Sequence, residues 1–287
     1  MSSSGRKVGL FIGLGVLALC CILVSLHFVE AQQPIAANTR SFEPTEELLY
    51  EAEFNRALLR GLNVAEFKLR SARSSMISEE DKRAGKPYSL TFTADLESKG
   101  FFTRLFNLKF HEQIESTVEG TSFTLQKTTI LDEQGKRVRA TETTYDRSTG
   151  KMSWSQRDPN NPSSEPRRAV VDFSGQLQDV LSAVYFIRTH PLHVGKPFEV
   201  FIGENGRVVR IPVHVVEKKS MKTILGKVKV VRVEPQLFGE DKLIKDEDGE
   251  FIVWITDDDR HIPVSARVKT DYGTFDIRLK RADINKL

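Results

Sequence analysis

The sequence predicts a mainly β protein, built on an antiparallel sheet with one helix crossing it and a short aromatic-rich helix or turn. Three observations support this class. Apolar and polar residues alternate with a period of two along much of the chain, and turn sequences separate the alternating segments. The chain also lacks the regular succession of helical segments that a parallel sheet needs between its strands.

The first clear alternating segment runs from Tyr88 to Leu96, where every second residue is apolar. Such a pattern gives a strand one buried face and one hydrated face. The pattern returns in four later segments, at residues 209–215, 251–255, 262–268 and 275–279. Turn sequences such as Asn205-Gly206 and Tyr272-Gly273 predict hairpins between strands, and short strands joined by tight turns make an antiparallel meander.

One segment has helical spacing instead. Gly175 precedes it and His190-Pro191 ends it, as expected for a helix that stops before a proline. We therefore expect one helix lying across the sheet. Its apolar positions are Leu177, Val180, Leu181, Val184 and Ile187.

A second irregular segment, Gly100 to Lys109, is too densely apolar for a free loop. We expect it to form a short helix or wide turn that caps one end of the sheet. Phe101, Phe102 and Phe106 would then form either a hydrophobic lid over a ligand or an ordinary apolar cap of the barrel end. The sequence leaves both alternatives open.

The N-terminal residues have the features of an export signal. Arg6 and Lys7 precede an uncharged apolar run from Val8 to Val24, and Val29-Glu30-Ala31 places small residues at the −3 and −1 positions of a cleavage site. The run exceeds the about 7–15 apolar residues of most cleaved signals and approaches the about 18 that can span a bilayer. A cleaved signal peptide and an uncleaved membrane anchor are both compatible with this pattern.

Three regions follow from this signal. Residues 1–31 are a signal peptide or membrane anchor, with residues 8–29 spanning the membrane if uncleaved; residues 32–44 are a polar tether; and residues 45–287 are a single β-rich domain. The basic N-terminal flank favours transfer of everything after Ala31 out of the cytoplasm. We expect the domain in the periplasm, either free or anchored in the cytoplasmic membrane and facing outward.

Composition excludes several kinds of function. Cys20 and Cys21 both lie in the apolar run, so residues 45–287 offer no thiol for a disulfide, a metal or nucleophilic catalysis. The 42 Lys and Arg residues nearly balance the 39 Asp and Glu residues, which argues against nucleic acid as a partner. We expect no cofactor.

Two stretches resemble a known family. Residues 47–54, and more specifically Asp179 to Arg188 followed by Pro191-Leu192 and Gly195, resemble an uncharacterised bacterial envelope family, the domain of unknown function numbered 3108. The resemblance spans roughly residues 42 to 283. It implies a β-rich periplasmic protein similar to the curved, half-open barrels of lipoprotein carriers, and it brings no established reaction or catalytic residue.

The resemblance also bears on residues 45–61, whose propensities alone allow an amphipathic helix beginning at Thr45 and ending at Gly61. The family pattern makes this segment a strand instead. We therefore expect a strand from Leu48 to Phe54 with alternate side chains directed inward.

Within the predicted helix, the polar residues Asp179, Ser182, Tyr185 and Arg188 have two possible roles. They could point into a groove and hold the head group of a ligand. Alternatively, Asp179 caps the helix, Ser182 lets it approach the sheet, and Arg188 neutralises its C-terminus. The structural alternative is favoured.

No motif predicts catalysis or a metal site. His190 and His193, with His214 and His261 elsewhere, could in principle bind a metal, but the pair His190 and His193 contains no acidic residue, so structural roles are favoured over ligation. The acidic run 246–250 fails as a calcium loop because isoleucines occupy its first and last ligand positions. We expect a protein that is not an enzyme, although a hydrolase site could still assemble in three dimensions.

Two functions follow from these observations. The first is non-catalytic binding of an apolar or lipid-like molecule in a β groove lined by residues such as Tyr88, Phe92, Val209 and Ile211. The alternative is an envelope assembly or scaffold protein that contacts another protein through an exposed strand edge. The polar strand 137–144 suits such an edge, because charged side chains discourage uncontrolled strand pairing.

Overall fold

The computed structural model describes residues 45–57, 59–73, 88–100, 109–245 and 248–284. The predicted signal or anchor and the tether lie outside the described residues, as do Phe101, Phe102 and Phe106 of the aromatic segment. No described helix is both long enough and apolar enough to span a membrane.

The described chain forms fifteen strands in one sheet and a single named helix, which confirms the predicted class. The first eight strands are β1 Glu46–Arg56, β2 Leu59–Arg73, β3 Ser89–Ser98, β4 Phe110–Glu119, β5 Thr124–Gln134, β6 Arg137–Asp146, β7 Lys151–Arg157 and β8 Arg167–Asp172. After β9 Leu177–Gln178 comes helix α1 Val180–Arg188, followed by β10 Phe198–Glu204, β11 Arg207–Thr223, β12 Gly226–Pro235, β13 Glu250–Thr256, β14 Pro263–Thr270 and β15 Gly273–Ile284.

The strand order is a meander folded back on itself. Strands β1 to β8 run consecutively outward in one direction, and β15 to β9 run outward in the other. Strand β1 pairs with β15 in antiparallel fashion, so the first and last strands meet in the middle of the sheet. The two ends of the sheet, β8 and β9, are not hydrogen-bonded to each other, and the sheet is therefore a curved, open one.

The choice of strand over helix at residues 45–61 is confirmed. In β1, the side chains of Leu48, Tyr50, Ala52 and Phe54 are buried and those between them are half-buried. A helix would distribute these apolar residues around its axis, whereas the strand places all four on the inner face. The strand makes this face continuous with those of β2 and β15.

Helix α1 lies against the inner face of the sheet. The ring of Tyr185 stacks on Phe92 of β3, with centroids 4.0 Å apart and planes 9° apart. Both side chains are fully buried. The predicted crossing helix is thus confirmed, and its packed face fills the space that the curved sheet encloses.

The sheet curls until strands from its two arms touch. Gly203 of β10 marks the contact: a Cβ atom there would lie 2.5 Å from Sδ of Met152 in β7 and 3.1 Å from Leu177. Gly206 in the β10–β11 turn similarly approaches Ala169 of β8. Face packing, not a hydrogen-bonded ladder, brings the two arms together.

Two sequence-based expectations are wrong. The polar segment 137–144 is not an edge, because β6 pairs with β5 on one side and with β7 on the other. The composition of residues 155–166, which include Asp158-Pro159-Asn160-Asn161-Pro162, predicts a loop that begins at Ser155, but β7 continues to Arg157. Short polar residues such as Ser153 and Ser155 give β7 a loop-like composition, although the residues that alternate with them, Met152 and Trp154, are buried.

The close contact at Gly203 generates a prediction. Gly203→Ala should lower the free energy of unfolding by about 1–3 kcal/mol, because the added methyl group overlaps Met152. Urea denaturation would measure the change. The double variant Gly203→Ala, Met152→Ala should lose less than the sum of the two single losses, since the second truncation makes room for the first. Additive losses would contradict a contact between these faces.

Candidate functional site

Four of the predicted site residues lie on or beside α1, and all four are buried. Asp179, Ser182, Tyr185 and Arg188 have exposed fractions of 2%, 0%, 0% and 5%. Their surroundings decide between ligand contact and structural support.

Asp179 caps the N-terminus of α1. Its carboxylate accepts a hydrogen bond from the backbone N–H of Ser182 at 2.7 Å, and the Ser182 hydroxyl accepts one from the Asp179 N–H at 3.0 Å. This reciprocal pair is a capping box. The Thr128 hydroxyl of β5 also donates to the Asp179 carboxylate, which fastens this end of the helix to the sheet.

Arg188 fastens the other end of α1. Its guanidinium forms two hydrogen bonds with the Glu46 carboxylate at the start of β1, one of them 3.0 Å long, and both side chains are buried. It also donates to the carbonyl of Arg260 at 3.1 Å. The backbone carbonyl of Arg188 in turn contacts Nδ1 of His261 at 2.7 Å. The predicted capping role of Asp179 is therefore observed, while Arg188 pairs with a carboxylate of another strand.

The apolar groove proposed from the sequence is occupied by the protein itself. Phe92, Val209 and Ile211, expected to line it, have exposed fractions of 0%, 5% and 1%. Tyr185 covers Phe92, and the remaining apolar side chains of α1 pack on the same core. An apolar ligand could enter among these residues only if α1 moved.

A polar trough lies on the opposite, outer face of strands β2 to β7. Its side chains alternate with buried ones, so that Asp95 and Gln113 point outward between core residues such as Ala94 and Ile114. The cavity measures about 720 Å³. The lining side chains that point into it are Arg70, Thr93, Asp95, Gln113, Glu115, Thr129, Leu131, Ala140, Glu142, Ser155 and Arg157.

The trough combines charges of both signs with hydroxyl and amide groups, and it lacks an aromatic lining residue. Glu142 pairs with Lys127 at 2.7 Å, and Arg70 pairs with Glu47 at 2.6 Å. Glu115 makes no ion pair with a described residue. Nor does Arg157, and both are therefore available to a charged ligand.

His111 borders the trough and forms a clasp across three strands. Its Nε2 contacts Asp95 of β3 at 3.1 Å, and its Nδ1 contacts Glu133 of β5 at 2.9 Å. Burial alone would lower the pKa of His111, but the hydrogen bonds to the two carboxylates outweigh it and raise the pKa. In its protonated form, which the raised pKa favours, the imidazolium donates to both carboxylates.

The inner face contains the buried acid Glu112 of β4 and the half-buried acid Glu204 of β10. Burial raises the pKa of Glu112 to about 8. The charges of Asp132 and Glu204 act in the same direction, whereas Arg137 opposes them. Burial and the charge of Asp179 likewise raise the pKa of Glu204 to about 7. Glu112 is therefore mostly protonated at neutral pH, and Glu204 is partly protonated.

Two other described histidines, His190 and His214, lie in separate parts of the fold. His190 is buried and its Nδ1 contacts the backbone carbonyl of Phe186 at 2.9 Å, and His214 lies exposed on the outer face of β11. Within the described ranges, no group of three or more His, Cys, Asp or Glu residues is placed to hold a metal ion. Sequence inspection missed both the trough and the His111 clasp, because their residues look like an ordinary hydrated strand face.

The buried pair of Arg188 and Glu46 generates a prediction. Arg188→Met should lower the free energy of unfolding by about 3–5 kcal/mol, because it leaves the Glu46 carboxylate buried without a counter-charge. Adding Glu46→Gln should recover most of that loss. Arg281→Met removes one of the two exposed partners of Glu47 and should cost much less. Equal losses for Arg188→Met and Arg281→Met in urea denaturation would contradict a stabilising role for the buried ion pair.

The raised pKa of Glu112 generates a second prediction. Its folded pKa of about 8 exceeds the ordinary value of 4.5, so the folded state holds the proton more tightly and stability falls as pH rises between these values. Glu112→Gln should match the parent at pH 4.5 and exceed it at pH 8 by on the order of 2–4 kcal/mol. Urea denaturation at both pH values tests this. Glu115→Gln, on the exposed outer face, is the control and should leave the pH dependence unchanged.

Comparison with known proteins gives a family but no activity. No curated protein matches the sequence. The chain is similar to a solved structure from Brucella abortus, a β-barrel-like protein of the domain of unknown function DUF1849, with 11% identity, a TM-score of 0.48, and coverage of 85% of this chain and 98% of that one. The family described as Protein of unknown function (DUF3108) matches residues 50–280. Since this match covers most of the chain, the protein belongs to the DUF3108 family.

Proposed function

We propose that this chain is an exported, non-catalytic binding protein that holds a polar, charged segment of another envelope protein in the trough of β2 to β7. The single observation behind the proposal is the location of open space. The trough on the outer face is open and polar, while the groove residues beneath α1 are buried. The geometry thus favours the scaffold alternative over binding of a lipid-like molecule.

The lining of the trough indicates the chemistry of the ligand. Glu115 and Arg157 lack ion pairs with described residues, and they lie on the outer faces of β4 and β7, with β5, β6 and hydroxyl groups such as Thr129 between them. A ligand with both cationic and anionic groups would satisfy both. Polypeptides supply such groups together with backbone donors and acceptors for the hydroxyls and for Gln113.

One feature supports a binding role without catalysis. Among the described residues, His111 is the histidine that borders the trough, and both of its ring nitrogens already contact carboxylates. No ring nitrogen is left to accept a proton from a nucleophile such as a serine hydroxyl. Ser155, the serine that lines the trough, therefore has no base supplied by His111.

The proposed location rests on the N-terminal sequence. Arg6 and Lys7 followed by the apolar run from Val8 to Val24 indicate export, whether or not the signal is cleaved. The domain would then meet its protein partner on the outer side of the cytoplasmic membrane. The absence of thiols from residues 45–287 is compatible with an oxidising compartment.

Site-specific photocrosslinking in intact cells tests the proposal. A photoreactive amino acid replaces Gln113, which is exposed within the trough, or His214, which is equally exposed on the outer face of β11. We expect a crosslinked protein from position 113 and none from position 214. Adding Arg157→Glu should reduce the yield roughly tenfold, the effect of about 1.4 kcal/mol of lost binding free energy.

Three outcomes would contradict the proposal. They are equal yields from the two positions, a yield that Arg157→Glu leaves unchanged, and crosslinks to lipid alone. Mass spectrometry of the intact, gently purified protein provides the complementary measurement. An apolar molecule retained in stoichiometric amount would return the lipid-binding alternative to first place.

A further inference from the structure

A basic hairpin projects from the sheet. Strand β11 continues to Thr223, and β12 begins at Gly226, but pairing of β12 with β13 begins only at Val230. Residues 217–229 therefore form a two-stranded extension whose outer parts have no third strand beside them. A two-stranded ribbon of this kind gains little stability from its own pairing. Met221, Leu225 and Val228 pack against the hydrophobic core, and the lysine side chains of the ribbon remain exposed.

The extension is strongly cationic. Between residues 217 and 229 the chain has one acidic residue, Glu217, against five lysines, and all five lysines are exposed. Lys218 pairs with Asp257 at 2.7 Å, and Lys219 lies 3.5 Å from the centre of the Trp254 ring. The other three, Lys222, Lys227 and Lys229, make no ion pair with a described residue.

The positions of the lysines without ion pairs destabilise the pairing of β11 with β12. Lys222 lies directly opposite Lys227 in the register of the two strands, and Lys229 lies opposite Ser220 on the same face. Like charges directly opposite each other destabilise a strand pair. An anionic surface placed against this face would remove that repulsion.

The tip of the hairpin adds an apolar contact. Ile224 is 50% exposed, and it is one of four large hydrophobic residues with such exposure among those described. Exposed apolar residues flanked by lysines are typical of segments that sit at a membrane interface, where the apolar group enters the headgroup boundary and the ammonium groups meet anionic lipids.

The hairpin projects from the end of the sheet at which the described chain begins. One row of paired residues crosses five strands: Arg278, Ser265, Trp254, Arg232 and Glu217. From this row, moving along β11 toward Thr223 and along β15 toward Ile284 leads in the same direction. Ile284 pairs with Glu46, the first residue of β1.

From this end of the sheet, the chain leads back through residues 32–44 to the predicted membrane segment. The tether, residues 32–44, could span at most about 45 Å even when fully extended. If residues 8–29 remain in the membrane, the end containing Glu46 stays near the bilayer, and the hairpin stays with it. The position of the hairpin near the start of the described chain and its positive charge therefore both favour contact with a membrane surface.

We propose that the β11–β12 hairpin docks on the anionic surface of the membrane through Lys222, Lys227 and Lys229, with Ile224 entering the headgroup region. The occupant of this surface is an anionic lipid bilayer. The proposal is independent of the trough, which lies on the outer face of β2 to β7.

A fluorescent probe at the tip tests the docking. Ile224→Cys in a Cys20→Ala, Cys21→Ala background provides a single thiol in the full chain for an environment-sensitive dye. The labelled chain is combined with vesicles of phosphatidylcholine alone or of phosphatidylcholine mixed with phosphatidylglycerol. We expect a blue shift, and quenching by nitroxide-labelled lipid, with the anionic vesicles, and loss of both at high salt.

Two controls separate docking from general attraction. Replacing Lys222, Lys227 and Lys229 by Gln should raise the lipid concentration that gives half of the response about 100-fold. Each lysine near an anionic surface contributes roughly fivefold to the binding constant. Replacing the exposed Lys136, Lys196 and Lys269 removes the same charge elsewhere and should change it little. A dye at Lys136→Cys, in the β5–β6 turn at the opposite end of the sheet, should not respond.

Several results would overturn the proposal. They include equal responses to neutral and anionic vesicles and a response that the hairpin substitutions leave intact. A blue shift on adding an acidic protein to the labelled chain without vesicles would also overturn it. Since Lys222, Lys227 and Lys229 are exposed, loss of response in that variant can be separated from misfolding by its urea denaturation curve. Failure of this experiment would leave the trough proposal untouched.

Discussion

The buried ion pair between Arg188 and Glu46 organises the structure. Burying two charges is costly unless their geometry is good and their remaining hydrogen bonds are satisfied. Here Glu46 accepts two hydrogen bonds from one guanidinium, and the Arg260 carbonyl accepts another. The pair joins the end of α1 to the start of β1, which is itself the strand where the two arms of the sheet meet.

Together with the cap at Asp179, this pair makes α1 a brace across the open sheet. One end is held by Thr128 of β5, and the other by Glu46 of β1. Because both ends are fixed by buried polar contacts, Tyr185 is held against Phe92 and the interior is filled. An open sheet of fifteen strands thereby acquires a closed core without a closed hydrogen-bonded ladder.

Because the interior is filled, both proposed binding surfaces lie on the outside of the sheet. The trough and the basic hairpin occupy different arms, the first on β2 to β7 and the second on β11 and β12. Their chemistry differs as well, since the trough combines both signs of charge and the hairpin is cationic. A protein held to a membrane at one end of its sheet could therefore present the trough to a second protein without competition between the two surfaces.

The sequence by itself determined the mainly β class, the alternating strands such as β3 and β15, and the helix, because these depend on periodicities of two and about 3.6 residues that are local to each segment. The strand at residues 48–54 followed from the family resemblance, since its propensities alone allow a helix. The cap at Asp179 was equally readable, since its partner Ser182 is three residues away. The tertiary structure alone decided that Arg188 meets Glu46, that β6 is internal, and that outward-facing residues of six strands enclose a trough. These features depend on strand order and on the curvature of the sheet, which arise from contacts between residues far apart in the chain and leave no local pattern.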